Sequence, residues 1–305
     1  MRSCDEYCVG DPCPANATCN YVECRQGIVS YKLTASDSPD RNWRPAAPPS
    51  TRCRDPPLEK LLPQVQEDLR GKINPEPFYD RELEVQNQKG TQGPPNSNAT
   101  KVNLWNIKYD EAHQNSFMID WEKPTLKYID DHQPIPDPRY VPITVNTTTG
   151  NSGWVMFVIL TSWDNDTQQH AIPGAAHPIH LHGHDFVILE QVEGPPGDHP
   201  SFNISKPIDP SRLINPPRRD VVMLPSDGYV VIAFKVDNPG SWLMHCHIAW
   251  HASAGLALQW VEQEAELQTL LANEPVVMGQ LKDQCNKWTN YYNHKSKEQQ
   301  EDSGI

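Results

Sequence analysis

From about residue 81 the chain alternates short apolar runs with turn-forming residues, and this pattern restricts its fold more than any other feature. The runs are rich in Val, Ile, Phe and Trp, and Gly, Pro, Asn or Asp separates them. In order they are "ELEVQ", "VNLWNIKY", "FMIDW", "GWVMFVILTSW", "HDFVILEQV", "DVVMLP", "YVVIAFKV", "SWLMHCHI" and "LALQWVE". Many short strands at such spacing are typical of a β-sandwich or a β-barrel. From Glu262 the apolar period becomes helical, so we expect a mainly β fold with short C-terminal helices.

Composition and local turn signals agree with a loop-rich β protein. The chain has 30 prolines and only 37% hydrophobic residues, which disfavours a helical bundle. Its net charge of −13 argues against a nucleic-acid partner, because phosphate binding needs a basic face. No run of eighteen apolar residues occurs, so the sequence predicts no membrane span. Asp227-Gly228 predicts a hairpin turn before "YVVIAF".

Four segments follow one another along the chain. Residues 1–56 are rich in cysteine, and 57–80 have the composition of a linker. Residues 81–275 hold the strand pattern, and 276–305 form a helix with a polar tail. We therefore expect one principal β domain.

Cysteines and glycosylation sequons indicate an oxidising compartment. Six cysteines lie within residues 1–56, where they form either a disulfide framework or a metal site. Five Asn-X-Ser/Thr sequons favour the disulfide framework, because they indicate a secreted glycoprotein. These sequons begin at Asn16, Asn98, Asn146, Asn165 and Asn203. The first residues, "MRSCDEYCVG", have no apolar centre and so form no signal peptide. We therefore expect that the true N-terminus is missing from this chain.

Two clusters hold seven of the twelve histidines. The first is "HPIHLHGH" at 177–184, and the second, "HCHIAWH", surrounds Cys246. Side chains alternate in a strand, so His245 and His247 face one side while Cys246 faces the other. His251 follows a bend and can return to the cysteine side. The His–Cys–His peptide would then join two sites on opposite faces by a short covalent path.

A His₂Cys group results when the two clusters are combined. Cys246 with His177 and His251 is the donor set of a blue-copper electron-transfer site. The remaining imidazoles form two His-x-His pairs, which suit more than one copper ion. These four are His180, His182, His245 and His247.

Three other interpretations account for less of the pattern. Structural zinc takes four ligands, whereas seven are offered. Pairs four residues apart, such as His247 and His251, lack the Glu that a metalloprotease helix needs after its first histidine. Core histidines without metal would explain a single residue better than two patterned clusters.

The motifs resemble those of a known family. "HPIHLHGHDF" and "HCHIAWHASAGL" are similar to the two C-terminal copper motifs of multicopper oxidases. "NPPRRDVVMLP" and "AFKVDNPGSWLMHCHIAWH" resemble the laccases of filamentous ascomycete fungi. The resemblance runs from about Cys24 to Ile305 and implies a Greek-key, cupredoxin-type β-sandwich. It implies that 1–56 is the end of a second cupredoxin domain and 81–275 a third.

The resemblance also implies a role for each clustered residue. It assigns His177, Cys246 and His251 to type 1 copper, His180 to type 2 copper, and His182, His245 and His247 to type 3 copper. Leu256 corresponds to the axial position of the type 1 site, where leucine cannot coordinate, so we expect a raised reduction potential. His184 corresponds to a position that holds no ligand, and we expect it to be structural.

The tail and three cysteines extend the resemblance. The chain ends Asp-Ser-Gly-Ile at 302–305, and ascomycete laccases commonly end Asp-Ser-Gly-Leu, a plug in the channel to the trinuclear copper cluster. Cys24 and Cys53 resemble a pair that forms a bridge at the end of the second domain. Cys285 resembles a cysteine that bridges to the first domain, and its partner there is absent from this sequence.

The chain departs from the family in its histidine count. A laccase trinuclear cluster takes eight histidines in four His-x-His pairs, half from the first domain and half from the third. Outside the two motifs this sequence has no further His-x-His pair. We therefore expect a truncated chain that needs the first domain, in cis or in trans, to complete the cluster.

The function implied by the resemblance is that of a secreted copper-dependent oxidoreductase. It would oxidise phenolic, diphenol-like substrates and reduce O₂ to water. A ferroxidase, an ascorbate oxidase or a bilirubin oxidase would carry the same motifs. The alternative from another class is a mononuclear type 1 copper electron-transfer cupredoxin, against which the four extra histidines argue. A relic without metal would be recognised by its lack of copper.

Overall fold

A computed structural model describes residues 58–73, 81–89, 103–109, 115–146, 153–161, 163–164, 169–170, 176–194, 207–294 and 303–305. They belong to one compact unit, Leu58–Ile305. The cysteine-rich segment and every sequon asparagine except Asn146 lie outside the described residues. Among the described helices, none is both long and apolar enough to cross a membrane.

The described part of the chain is mainly strand, and its two longest helices lie at the C-terminal end. The strands are β1 (Arg81–Lys89), β2 (Asn103–Lys108), β3 (Pro142–Val145), β4 (Trp154–Thr161), β5 (Trp163–Asp164), β6 (Gln169–His170), β7 (His177–Leu181), β8 (Phe186–Glu193), β9 (Arg218–Arg219), β10 (Val221–Leu224), β11 (Gly228–Lys235), β12 (Gly240–Cys246) and β13 (Ala257–Glu262). The α-helices are α1 (Thr125–Asp130), α2 (Ala249–Ser253), α3 (Glu264–Ala272) and α4 (Pro275–His294). Single 3₁₀ turns lie at Leu58–Lys60, Pro138–Tyr140 and Pro210–Leu213.

Two mixed sheets form a sandwich. One sheet has the order β2-β1-β4-β11-β8-β9, and the other has the order β10-β7-β12-β13-β3. The β1–β4 and β3–β13 pairs are parallel, and the other pairs of these sheets are antiparallel. The chain crosses repeatedly from one sheet to the other, as in a Greek-key sandwich. The mainly β prediction is confirmed, and of its two forms the sandwich is the one observed.

The main apolar core lies between the sheets. Its aromatic centre is Phe157 on β4, Phe234 on β11 and Trp260 on β13, with 4.9 Å between the ring centroids of Phe157 and Trp260. Strands β4 and β11 are buried on both faces, which explains why they read as continuous apolar runs and not as alternating ones. This core includes inward side chains of β12 and β13, such as Met244 and Leu258.

The outer face of the six-stranded sheet is covered by segments without regular structure. Leu69 and Ile73, inside the predicted linker 57–80, are buried there beside Val158 and Val231. The Leu69 amide donates to the carbonyl of Leu213 at 2.8 Å. The described part of that linker is therefore packed against the domain, while the domain limits themselves stay predictions.

Two local predictions were wrong. Asp227-Gly228 does not close a hairpin, because β10 and β11 belong to different sheets and the turn carries the chain across the sandwich. The run "FMIDW" is not a strand. The Phe117 amide donates to the carbonyl of Gly255, and the Ile119 amide donates to that of Ser303, so its partners are loop and tail residues.

Gly228 is required by a close approach between two backbones, and its replacement tests the β8–β11 contact. A Cβ atom at this position would lie 1.9 Å from the carbonyl oxygen of Val192. We expect Gly228→Ala to lower the free energy of unfolding by about 1–3 kcal/mol, the usual cost of overpacking. Chemical denaturation of both proteins measures the difference.

Gly279 on α4 is the matched control, because a Cβ there meets no atom within 4 Å. Gly279→Ala should leave stability unchanged or raise it by up to about 1 kcal/mol, since Ala favours a helix interior. Equal stability of wild type and Gly228→Ala would show that the β8 backbone can withdraw.

Candidate copper sites

Strands β7 and β12 bring the two histidine clusters together. They pair antiparallel, with His245 opposite His180 and Cys246 opposite Ile179. Burial alternates along β7 and over the last three residues of β12, so the Cys246 side chain enters the core while His245 turns outwards. The two faces predicted from the spacing are therefore observed.

The first donor group lies on the core side of this sheet. The Cys246 Sγ is 3.7 Å from the Nδ1 atoms of both His177 and His251, and those two nitrogens are 3.2 Å apart. Three atoms with these separations lie about 2 Å from a common centre, which is the length of a metal–imidazole bond. All three residues are buried, with Cys246 fully inaccessible. The donors thus fit a trigonal His₂Cys site for one copper ion.

Burial sets the protonation of this group. Burial and the neighbouring His251 lower the pKa of His177 to about 3, and burial lowers that of His251 to about 4. Burial raises the pKa of the Cys246 thiol to about 12. Both imidazoles are therefore neutral and ready to bind a metal near neutral pH. The thiol must release its proton when a cation binds, so metal binding and proton release are coupled.

Two further residues contact members of the His₂Cys group, Trp105 through its ring and Leu256 through its backbone. The Trp105 ring lies 4.7 Å from the His177 ring and 4.3 Å from the His251 ring, measured between centroids. Leu256 is fully buried, its carbonyl accepts the Cys246 amide, and its own amide donates to the carbonyl of His251. Its side chain offers no donor atom. Trp105 was missed at the level of sequence, because nothing in β2 marks it as a neighbour of residues so distant in the chain.

The second donor group lies on the opposite face. It consists of His180, His182 and His245, whose candidate ligand atoms are all within 4.8 Å of one another. The Nε2 atoms of His182 and His245 are 3.2 Å apart. Burial lowers the pKa of both of these imidazoles, with the surrounding histidines adding to the effect. Neutral imidazoles this close are suited to a shared metal ion.

Backbone carbonyls select the tautomers of this group. His180 Nδ1 is 2.8 Å from the carbonyl oxygen of Asp220, and His245 Nδ1 is 2.9 Å from that of Cys246. A carbonyl can only accept, so each Nδ1 carries the proton and each Nε2 keeps its lone pair. Such carbonyl contacts are the usual support of metal-binding histidines.

His247 and His184 lie beside this group but not within it. The His247 ring stacks on that of His245, with 5.8 Å between centroids, and its side chain is exposed. The His184 Nε2 is 2.6 Å from a carboxylate oxygen of Glu262 and belongs to neither group. The sequence predicts four outward imidazoles. The ligand atoms of three of them lie together, and His247 lies beside those three.

Cys285 and the last residues of the chain are also placed. Cys285 is buried on α4 and forms no disulfide within the described residues, and burial raises the pKa of its thiol. Ser303 is buried against α2, where its hydroxyl donates to the carbonyl of Ala252 at 2.7 Å and its amide to that of Ser253 at 2.9 Å. The tail is therefore docked beside the helix that carries His251.

A cupredoxin-type sandwich with a buried His₂Cys group is the defining feature of blue-copper domains, and this chain has both. Residues 118–266 match the family model described as multicopper oxidase. The chain is 37% identical to dihydrogeodin oxidase of Aspergillus terreus, over 92% of this chain and 44% of that protein. It is also 37% identical to a laccase of Arthroderma benhamiae, over 92% of this chain and 42% of the laccase.

A solved structure gives the same result. The laccase of Botrytis aclada superposes with a TM-score of 0.63 and 32% identity, covering 88% of this chain and 42% of that one. The chain belongs to the multicopper oxidase family, whose cofactor is copper. It spans less than half the length of these relatives.

Proposed function

We propose that this chain carries the type 1 copper centre and half of the trinuclear copper cluster of a laccase-type oxidase. Such an enzyme oxidises phenolic substrates and reduces O₂ to water. The observation that carries the proposal is the placement of Cys246 in one donor group and of its neighbour His245 in the other. Bound copper would supply one-electron oxidation at the first group and O₂ reduction at the second.

The residues of the chain divide this work between the faces of the five-stranded sheet. His177, Cys246 and His251 would hold the type 1 ion in the core, where Trp105 packs on both imidazoles and Leu256 is fully buried. The covalent path from Cys246 to His245 would link the two copper sites through the backbone. In a laccase-type oxidase, electrons from the substrate would follow this path towards O₂.

The second group is assigned by motif. In the proposal His180 holds type 2 copper, and His182, His245 and His247 hold type 3 copper. The remaining ligands would come from a first cupredoxin domain, in cis or in trans. Support for this comes from the sequence, which has no further His-x-His pair. The exposed ring of His247 also lies beside the group and is accessible to a partner.

Secretion and the tail plug are further parts of the proposal. Asn146, the one sequon asparagine in the described residues, is exposed at the end of β3, where a glycan can be attached. Residues 302–305 would plug the channel to the cluster, as the family resemblance implies. The docking of Ser303 on α2 supports a defined position for residues 303–305.

Copper analysis with a visible spectrum tests the proposal on the 305-residue chain. We expect an intense blue band with one copper at the His₂Cys group, and additional non-blue copper at the histidine group. A chain that takes up no copper, or copper without a blue band, would refute the assignment. Blue copper with no non-blue copper would instead favour an electron-transfer cupredoxin.

Leu256→Met tests the axial position of the type 1 site. A buried Leu-to-Met exchange conserves volume, so the fold should tolerate it. The thioether adds a weak axial donor that stabilises Cu(II) relative to Cu(I). We expect the reduction potential to fall by an amount on the order of 59 mV, equivalent to a tenfold change for a one-electron couple. Redox titration of the blue band would show an unchanged or higher potential if this argument is wrong.

A further inference from the structure

His184 has surroundings unlike those of the other clustered histidines. Its side chain is 5% exposed, and its Nε2 meets the carboxylate of Glu262, which is fully buried, at 2.6 Å. The rings of Phe234 and Trp242 lie 4.8 and 6.3 Å away between centroids. A buried carboxylate is costly unless it is fully hydrogen-bonded, so this pair depends on its partners.

Glu262 has a second partner that leads back to the histidine motif. Its other oxygen accepts the backbone amide of Asn238 at 2.6 Å. The Asn238 side-chain amide donates to the carbonyl of Gly183 at 2.9 Å, and its backbone carbonyl accepts the Trp242 indole N–H at 2.7 Å. Gly183 and His184 are thus both tied to the same buried acid, one directly and one through Asn238.

Gly183 lies directly on the indole of Trp242. Its φ is +77°, and a Cβ atom there would lie 2.3 Å from the ring. The same ring also covers Gly240, where a Cβ would lie 2.4 Å from it. Gly240 is also the residue opposite Glu262 in the β12–β13 pair. The position of the loop after β7 on the sheet is therefore restricted by Trp242, whose ring both glycines approach too closely to carry a side chain.

His182 needs a restraint outside the sheet because β7 ends one residue earlier, at Leu181. Its amide donates to the carbonyl of Leu243 at 2.8 Å, but its side chain is exposed and extends from a turn. Pairing within the sheet does not by itself hold its Nε2 opposite that of His245. The two residues that follow, Gly183 and His184, carry the anchors.

We propose that the buried Glu262–His184 pair positions the metal ligand His182. The pair fixes the loop 182–184 on Trp242 and so keeps His182 in reach of His180 and His245. His184 is a positioning residue and binds no metal itself. This inference rests on the proposed function of the second donor group. Loss of such a supporting contact typically weakens metal affinity about 10–100-fold.

Copper reconstitution of the 305-residue chain separates the two donor groups. The blue band reports on Cys246, and the affinity for copper that gives no blue band, followed by electron paramagnetic resonance, reports on the histidine group. We expect His184→Leu to weaken the non-blue copper about 10–100-fold and to leave the blue band unchanged. His184→Gln keeps an N–H for Glu262 and should stay close to wild type.

Other results would distinguish the alternative roles of the pair. If His184 were itself a ligand, His184→Gln would lose as much affinity as His184→Leu. If the pair only stabilised the fold, blue and non-blue copper would fall together. Glu262→Gln, which retains the shape of the side chain, gives a second measurement should His184→Leu fail to fold, with the exposed Glu266→Gln as its control. Unchanged non-blue affinity in Glu262→Gln would overturn the inference, whereas a wild-type chain without non-blue copper would refute the proposed function of the second group.

Discussion

A Cys246→Ser variant is expected to lose the blue absorption band completely while keeping its fold. The thiol is fully buried at 3.7 Å from both imidazole nitrogens, so no solvent ligand can replace it. Serine is close to cysteine in size and leaves the packing of β12 intact, but its hydroxyl cannot act as a thiolate. A site with His177 and His251 alone would no longer be of the blue-copper type. The visible spectrum after copper addition measures the loss, and circular dichroism measures the fold.

Cys285→Ser is the matched control for this experiment. Cys285 is the other cysteine of the described residues and is also buried, but it lies on α4, outside both donor groups. Its replacement should leave the blue band at full intensity. A band that survives in Cys246→Ser, or disappears in Cys285→Ser, would assign the thiolate ligand to another cysteine.

Alternation along strands made the two donor groups predictable. The side-chain period of two places Cys246 inwards and His245 outwards whatever the neighbouring strands are. The same period in β7 separates His177 from His180. Strand spacing likewise predicted a mainly β fold, since most apolar runs became the strands that enclose the core. These features depend on the succession of neighbouring residues, which can be read directly from the sequence.

Contacts between distant segments could not be predicted in this way. The Asp227-Gly228 turn has hairpin chemistry, but its strands join different sheets because each buries its apolar face in the sandwich. Trp105 contacts the His₂Cys group only because the fold places β2 beside it. Glu262 looks like an ordinary acid at the end of a strand, and only the fold places His184 against it. The spacing of residues along a strand shows which face of the sheet they occupy. Which residues they contact depends on how the strands are arranged in the fold.

A His180→Ala, His182→Ala double variant is expected to abolish copper binding at the second group and to spare the first. It removes two of the three imidazoles whose ligand atoms lie within 4.8 Å of one another, and a single imidazole does not hold the ion. The loss should exceed the roughly 10–100-fold range typical of changes in supporting contacts. Both substitutions are on the outward side of the β7 motif, so His177 and the blue band should persist. Copper per chain, divided into blue and non-blue copper, measures the result.

His247→Ala provides the graded comparison. Its ring stacks on His245 but lies outside the group of three, so in this chain its loss should cost far less non-blue copper than the double variant. The motif assigns it to type 3 copper, where the ion would also need ligands from a first domain. An equal loss in His247→Ala and in the double variant would mean that His247 already binds the same ion, and the half-site would then contain four imidazoles. A lost blue band in the double variant would mean that the two faces of the sheet formed by β7 and β12 are not independent. That result would contradict the separation on which both assignments rest.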